Sequence, residues 1–556
     1  MIVIFISWLI LLGCFMITGS ATDAFLKIHT TNPVFKIMIG MMAQTVLLTI
    51  CAFFVPIGLG LFAGNMLLTI FLALIFRKKI TNEFLALSTS FRTFSIYAKA
   101  IFGIILLSAL FKCAQSPFIL DNESYYVQTI KWLNEYGFVK GLANLNVAFG
   151  QTSAWHVLQA GFNFSFLTER INDLNGFLIV ICSFFFIDEW NKKSASGNIN
   201  WLGLIVTFNV LLFQFINAPS PDFPLIIISQ LLFYIFLKRG KTASDLKMMA
   251  LLTLFLIFIK ITIAPIAVLV LYELYKQKKG FQFFMITGFL FGFLWLLKNI
   301  ILFGYPLFPL PFLRIDADWT IPNALLQNLN NMIKNHEFMT IKGYKSFSIV
   351  DKFLIWIRFG GINSIFNKGI LMLFLLVLFT KQMQTSMQFR ILYFALLLHF
   401  IIVFLVSPQF RFFLPEFIFL SVILIADIFN RIKIAPKFVN LFLVSSVILP
   451  LVISLLIDFK TLTSNKLNQK EAAIKPSQLY LPELNSRYGN IDFETFTEGN
   501  LKFYSPKQNF FFYGTANGPL PSTNIKIIQR FKKRYHIIPQ LRTGELKDGF
   551  YSKKIE

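Results

Sequence analysis

The sequence predicts an all-α polytopic membrane protein of about twelve full spans plus a re-entrant helical hairpin, ending in a small α+β domain. Three observations predict it. Of 556 residues, 56% are hydrophobic and only 14% are charged, where an ordinary soluble domain carries about 25% charged residues. No hydrophilic linker interrupts roughly the first 450 residues, which rules out a string of soluble domains. The turns between apolar runs are short and basic. The net charge of +24, from 51 Lys and Arg against 27 Asp and Glu, therefore reads as positive-inside loops facing membrane lipids, not as a nucleic-acid footprint. Cys14, Cys51, Cys113 and Cys182 lie far apart in apolar surroundings with no CxxC pair, so they read as buried small hydrophobes.

A span needs about 20 apolar residues, fewer where aromatic or snorkelling residues close its ends. On that basis the runs are 2 to 18, 37 to 56, 57 to 76, 95 to 113, 174 to 188, 201 to 217 and 222 to 238, followed by 247 to 259, 261 to 274, 280 to 303, 367 to 381, 388 to 407, 410 to 429 and 437 to 457. The first has no basic n-region and no A-x-A site, so it reads as a retained span. Five basic clusters set the orientation: Arg77 to Lys79, Lys192 and Lys193, Lys238 to Lys241, Lys276 to Lys279, and Arg431 to Lys437. All five face the cytoplasm only if Lys247 to Lys276 enters and leaves on one side. That segment reads as two short helices dipping partway into the membrane with Lys260 at the tip. The body then covers 1–457 and the non-cytoplasmic domain 458–556. Loops 114–173 and 304–366, the turns 217–223 and 407–411, and the tail share the outer face of an inner membrane. In the tail, strand-like runs near Leu501 to Tyr504 and Asn509 to Tyr513 and a turn at Gly518 to Pro521 suggest the α+β fold.

The most informative stretch is Ser116-Pro-Phe-Ile-Leu-Asp121-Asn-Glu123-Ser-Tyr125-Tyr126. Two carboxylates sit just beyond a span, and Tyr126, Ile130 and Leu133 recur at helical spacing. The acids thus occupy the first turn of an amphipathic surface helix, where they could simply cap it. This pattern resembles the first outer loop of the GT-C superfamily, integral-membrane glycosyltransferases that include oligosaccharyltransferase, protein O-mannosyltransferase and aminoarabinose transferase. The resemblance covers one loop and the topology. It implies a GT-C-like body, a catalytic base at Asp121 and a neighbour or metal ligand at Glu123, with inversion at the anomeric carbon and a polyprenyl-phosphate-linked sugar as donor. The stretches Lys131 to Leu145, Ala218-Pro-Ser-Pro-Asp222, Gly304-Tyr-Pro306, Ser407-Pro-Gln-Phe-Arg411-Phe412 and Gly549-Phe550 resemble a bacterial family of multispanning proteins without an assigned activity.

A leaving phosphate needs positive charge. Lys260, Lys298 and Arg411 lie at or near membrane depth, where each would cost about 2.5 to 3.5 kcal/mol unless paired or facing a wet cavity. Arg411 offers a bidentate fork and Lys260 a point charge. A Lys at a hairpin tip also resembles the aminoarabinose transferase arrangement. Snorkelling is the plain alternative for all three. Asp222 could cap a span or supply a second acid. His156 reads as a satisfied surface or interface histidine or a binding residue, and Trp132, Trp155 and Tyr305 read as an interfacial belt before a sugar platform. A divalent cation stays optional, because hard cations want six or more oxygens and the loop holds two acids. No Walker A loop, GxGxxG, GxSxG or HExxH pattern occurs. The expected activity is sugar transfer to an envelope glycan, lipid or protein acceptor. The alternatives are a surface-polysaccharide polymerase or ligase, a lipid-linked-glycan flippase, and a structural or assembly protein.

Overall fold

The computed structural model describes residues 1–194, 200–339, 341–456, 475–488, 491–507, 510 and 514–555. The chain opens with α1 (Ile2–Phe25) and α2 (Pro33–Ala52). These two helices pack backbone on backbone. A Cβ on Gly19 would lie 1.8 Å from the Lys36 carbonyl oxygen, and one on Gly40 would lie 1.9 Å from that of Phe15, which is the close approach that small residues permit between apolar helices. Helix α3 (Leu59–Ile75) turns through 93° into the polar α4 (Arg77–Arg92), and α5 (Ile96–Ala114) follows. A π-helical turn, Asn122–Tyr126, then runs into α6 (Val127–Tyr136). The short α7 (Ala154–Gly161) precedes α8 (Leu174–Ser194).

The second half contains α9 (Asp222–Leu237), α10 (Ala243–Ile259), α11 (Ala267–Gln277) and α12 (Phe281–Phe303). It continues through α13 (Asn323–Asn335), α14 (Ile349–Arg358), α15 (Gly361–Val377), α16 (Met387–Val406), α17 (Leu414–Arg431) and α18 (Pro436–Leu456). Among the described residues eight helices are long and apolar enough to cross a membrane, or ten if two bent pairs each count as one span. The protein is thus a multi-pass, all-α membrane protein. The count falls short of the expected twelve because several runs form shorter pieces: Trp201–Leu212 is broken, α9 has 16 residues, and α10 has 17.

The expected hairpin breaks at Lys260, but its tip is not halfway along the bundle. Helix α10 begins at a Thr242–Asp245 capping box, four residues before the expected run, and so is long enough to accompany α9 from end to end. Lys238 pairs with Asp245 at 2.9 Å at one end, and Lys260 pairs with Asp222 at 2.6 Å at the other.

The bundle ends differ in chemistry. At one end Lys79 meets Asp23 (2.7 Å), Lys192 meets Asp188 (2.5 Å), and the buried pairs Lys241–Glu273 and Lys36–Glu83 lie nearby. Lys247 donates to the Lys27 carbonyl and stitches α10 to the exit of α1. Arg431 is at the end of α17 remote from Arg411. The basic clusters gather as the charge pattern predicts. The opposite end collects the long loops and the tail.

The tail pairs β1 (Phe493–Glu498) with β2 (Leu501–Pro506) and, after α19 (Ile525–Tyr535), β3 (Ile537–Leu541) with β4 (Phe550–Lys554), both antiparallel. The run expected at Asn509 to Tyr513 lies, apart from Phe510, outside the described residues. This domain docks closely on the body. The Phe550 N–H donates to the Lys140 carbonyl at 2.9 Å, and the Phe550 ring meets Trp132 edge-on at 5.7 Å. Helix α6 is therefore enclosed and not laid on a membrane surface. Gln128 donates to the Ala516 and Gly518 carbonyls, and Trp132, Trp155 and Tyr305 are fully buried instead of forming a belt. All four cysteines are free, with Cys14, Cys113 and Cys182 buried and Cys51 partly so.

Gly549 (φ +95°) makes the docking possible, because a Cβ there would lie 2.0 Å from the Lys140 carbonyl. Gly549→Ala should destabilise the protein by at least about 2 kcal/mol and speed proteolysis of the tail, read by thermal unfolding and limited digestion. Asp173, buried in the loop before α8, accepts from the Ser7 hydroxyl at 2.8 Å, and burial pushes its carboxyl up to about 6. A pKa raised by folding makes a stability contribution that is complete below about pH 4 and lost as pH rises through 6. Asp173→Asn should therefore match the parent near pH 4 and exceed it by up to about 3 kcal/mol near pH 8, measured by unfolding in detergent.

Candidate functional site

Four separate elements meet at the tail end of the bundle. Asp121 closes the extended Pro-containing approach and enters the π-helical turn, a local geometry frequent at functional sites. Its side chain makes no capping hydrogen bond. Instead Arg411 Nη1 donates to Asp121 Oδ2 at 2.7 Å. Arg411 sits on a 3₁₀ turn, Phe410–Phe413, that leads into α17, and its Nε lies 3.4 Å from Asp222 Oδ2 on the first turn of α9. Lys260 completes the group, with Nζ 2.6 Å from Asp222 Oδ1 and 3.6 Å from the Phe412 ring centre. Two cations and two carboxylates cancel in charge, and the Phe412 ring lies beneath both cations.

The cluster is partly open. Arg411, Asp121 and Lys260 keep 21%, 26% and 25% of their side-chain surface exposed, whereas Asp222 keeps 3%. Ile261, next to Lys260, is exposed, and Leu225, Ile226 and Ile263 line the small cavity beside Arg411, so the border of the cluster is aliphatic. The cavity behind it measures only about 10 Å³, room for about one water.

Lys298 acts on this site from behind. Its ammonium donates to the Thr152 carbonyl at 2.6 Å, and Ser153 Oγ donates to the Ile259 carbonyl at 2.8 Å. Lys298 thereby holds the turn that fixes the residue before Lys260. Ser153 also caps α7, where the His156 imidazole accepts from the Ser153 N–H at Nδ1. Burial, reinforced by the charge of Lys298, drives His156 down to about 3, so it is a neutral packing group and not a surface histidine. Its ring lies 4.9 Å from that of Tyr126 and 6.2 Å from that of Tyr125. Burial and the nearby negative charge of Asp121 and Asp222 push both phenols well above the usual range. Both tyrosines stay protonated beside the carboxylates.

Residues 1–419 match the family model described as a domain of unknown function (DUF8201). The chain belongs to this family. All four members of the cluster fall inside the matched region. No curated protein and no solved structure matches the chain.

The other expected residues are elsewhere. Glu123 points away from Asp121 into the tail. Its carboxylate accepts from Ser486 Oγ at 2.6 Å, from Asn122 Nδ2 at 2.9 Å and from the Arg487 N–H at 3.2 Å, and its carbonyl accepts from the Thr515 and Ala516 N–H groups. Every Glu123 oxygen is thus engaged away from the cluster, which corrects its expected place next to the base. Tyr305 is buried in the turn after α12 and does not join the group. Among the described residues no three His, Cys, Asp or Glu side chains gather to hold a metal.

Sequence reasoning missed the buried His399–Glu416 pair on α16 and α17, with His399 lining the small cavity behind Arg411. A lone titratable group inside each of two apolar spans is the signal that could have found it. Glu123→Ala should loosen the tail by about 1 to 3 kcal/mol, because it strands buried donors. Faster proteolysis after Tyr488, with the Asp121–Arg411 pair intact, is the expected result.

Proposed function

We propose that this DUF8201 protein is an integral-membrane glycosyltransferase of the inner membrane, moving a sugar from a polyprenyl-phosphate-linked donor to a cell-envelope glycan, lipid or protein acceptor on the outer face. One observation carries the reading: Asp121, Arg411, Asp222 and Lys260 reach a single partly open point with an aliphatic border. A lipid-anchored phosphate needs cations at such a boundary, and the acceptor needs a base within reach of the same phosphate. The resemblance of the Asp121 loop to GT-C enzymes supports the same assignment. The basic clusters would then face the cytoplasm, with loops 114–173 and 304–366 and the tail in the periplasm.

In this scheme the acceptor hydroxyl or amine attacks the anomeric carbon and gives its proton to Asp121. The bond from that carbon to the phosphate oxygen breaks, its electron pair stays on the phosphate, and Arg411 and Lys260 neutralise the charge. The cluster has no spare positive charge, so an arriving phosphate competes with Asp121 for Arg411. Once released, the carboxylate is more basic, and donor binding itself prepares the base. Asp222 stays behind to orient both cations, and opening of the Asp121–Arg411 pair admits the donor.

Asp121→Asn keeps the shape and removes the base. Transfer from a polyprenyl-phosphate sugar in proteoliposomes should fall by about 10² to 10⁴, and undiminished transfer would refute the assignment. Loss in Arg411→Ala with none in Asp121→Asn would point to a polysaccharide polymerase or ligase working through basic residues. Movement of donor across vesicles without covalent transfer would indicate a flippase.

A further inference from the structure

A second polar space lies where the loop after α12 meets the tail. It is a groove of about 670 Å³ walled by α13, the turn Tyr344–Ser346, α14 and α19. Five cations face it: Lys334, Lys345, Lys352, Arg530 and Arg534. Among the described residues no carboxylate lines it. The nearest acids are engaged elsewhere, with Glu337 near His336 and Asn363 and Asp351 capping α14 through Ser348. Lys334 and Lys352 repel one another across the space. A concave surface with one sign of charge concentrates its field and attracts anions.

The groove also carries amides. Gln327, Asn331 and Asn335 recur every fourth residue along α13, with Asn328 beside them; Asn335 accepts from Lys352 and Asn328 from Arg530, and in this ladder of amides Gln327 and Asn331 offer both donors and acceptors to the groove. Phosphate or carboxylate alone needs only donors. A ladder that also accepts suits hydroxyls. The apolar lining is limited to Ala324, Met332 and Met339 apart from two tyrosines, which offers no wall for acyl chains.

We propose that this groove binds an acidic glycan chain, its sugars bearing carboxylate or phosphate groups, as the acceptor; the acceptor role rests on the glycosyltransferase reading above. The groove communicates with the cluster through α14. Lys352 faces the groove, and Trp356, one turn and about 6 Å further along the axis, donates from Nε1 to the Pro408 carbonyl at 2.8 Å and packs edge-on against Phe413 at 5.6 Å. Pro408 and Phe413 bracket Arg411. The groove and the turn that carries Arg411 thus share α14 as a common support.

Full-length protein in detergent is titrated with fluorescent oligogalacturonate, with a neutral oligoglucan, polyphosphate and anionic-lipid vesicles as parallel probes. Oligogalacturonate should bind and oligoglucan should not. Lys345→Glu combined with Arg534→Glu, both on the exposed rim, should weaken binding at least about tenfold with unchanged thermal unfolding. Asn331→Ala should weaken oligogalacturonate but not polyphosphate. Unchanged binding in the double variant, or tighter binding of polyphosphate or vesicles than of oligogalacturonate by the parent protein, overturns the proposal. Binding is read without turnover, so the two readings fail separately. No transfer by a parent protein that still binds oligogalacturonate defeats only the transferase, and transfer by a protein that does not bind it defeats only the groove.

Discussion

Arg411 joins two stretches of chain that lie almost 200 and 300 residues before it. Its guanidinium binds Asp121 through one nitrogen and faces Asp222 through another, while Asp222 holds Lys260. The planar fork permits this sharing, and a lysine in its place could not span both carboxylates with the same fixed geometry. Removing one partner from such a partly buried network strands the others, at a cost of about 3 to 5 kcal/mol for a buried pair. The π-helical turn, the hairpin tip, the start of α9 and the turn before α17 are therefore mutually positioned by charge, where the rest of the bundle relies on apolar packing.

The scaffold behind this network is polar, with one cation in it. The Lys298 ammonium holds Thr152, Ser153 holds Ile259, and His156 stays uncharged beneath two protonated tyrosines. Lys298 is spent on a backbone carbonyl, so these groups fix the position of the four residues in front of them. The small cavity behind Arg411 is bordered by Leu225, Ile226 and Ile263, and Ile261 beside Lys260 is exposed.

Much of this was legible before any coordinates. Charge in apolar sequence is expensive, so Lys260 and Arg411 stood out, and the break at Lys260 was visible from the two short apolar runs around it. The basic clusters marked one end of the bundle for the same electrostatic reason. Glu123 was not legible, because its partners lie about 360 residues downstream and local spacing makes it look like Asp121's companion. Lys298 looked like a phosphate ligand because sequence reveals a costly charge but not the carbonyl that satisfies it. The expected twelve spans exceed the eight to ten described helices that are long and apolar enough to cross a membrane, because α9 and α10 run the length of the bundle with only 16 and 17 residues. His399 and Glu416 escaped notice although each is a lone titratable group in an apolar span, because nothing local shows that the two meet.

The grip of the tail on Glu123 has a temporal side. A chain is made from its N-terminus onward, so the loop bearing Asp121 exists long before Ser486 and Thr515 have been synthesised. Until residues 486 to 516 arrive, the Glu123 carboxylate and carbonyl lack most of their partners, and the adjoining turn is incompletely braced. A molecule truncated before Ser486 would carry an unfinished loop. Bracing of the turn that bears Asp121 is thus tied to synthesis of the tail.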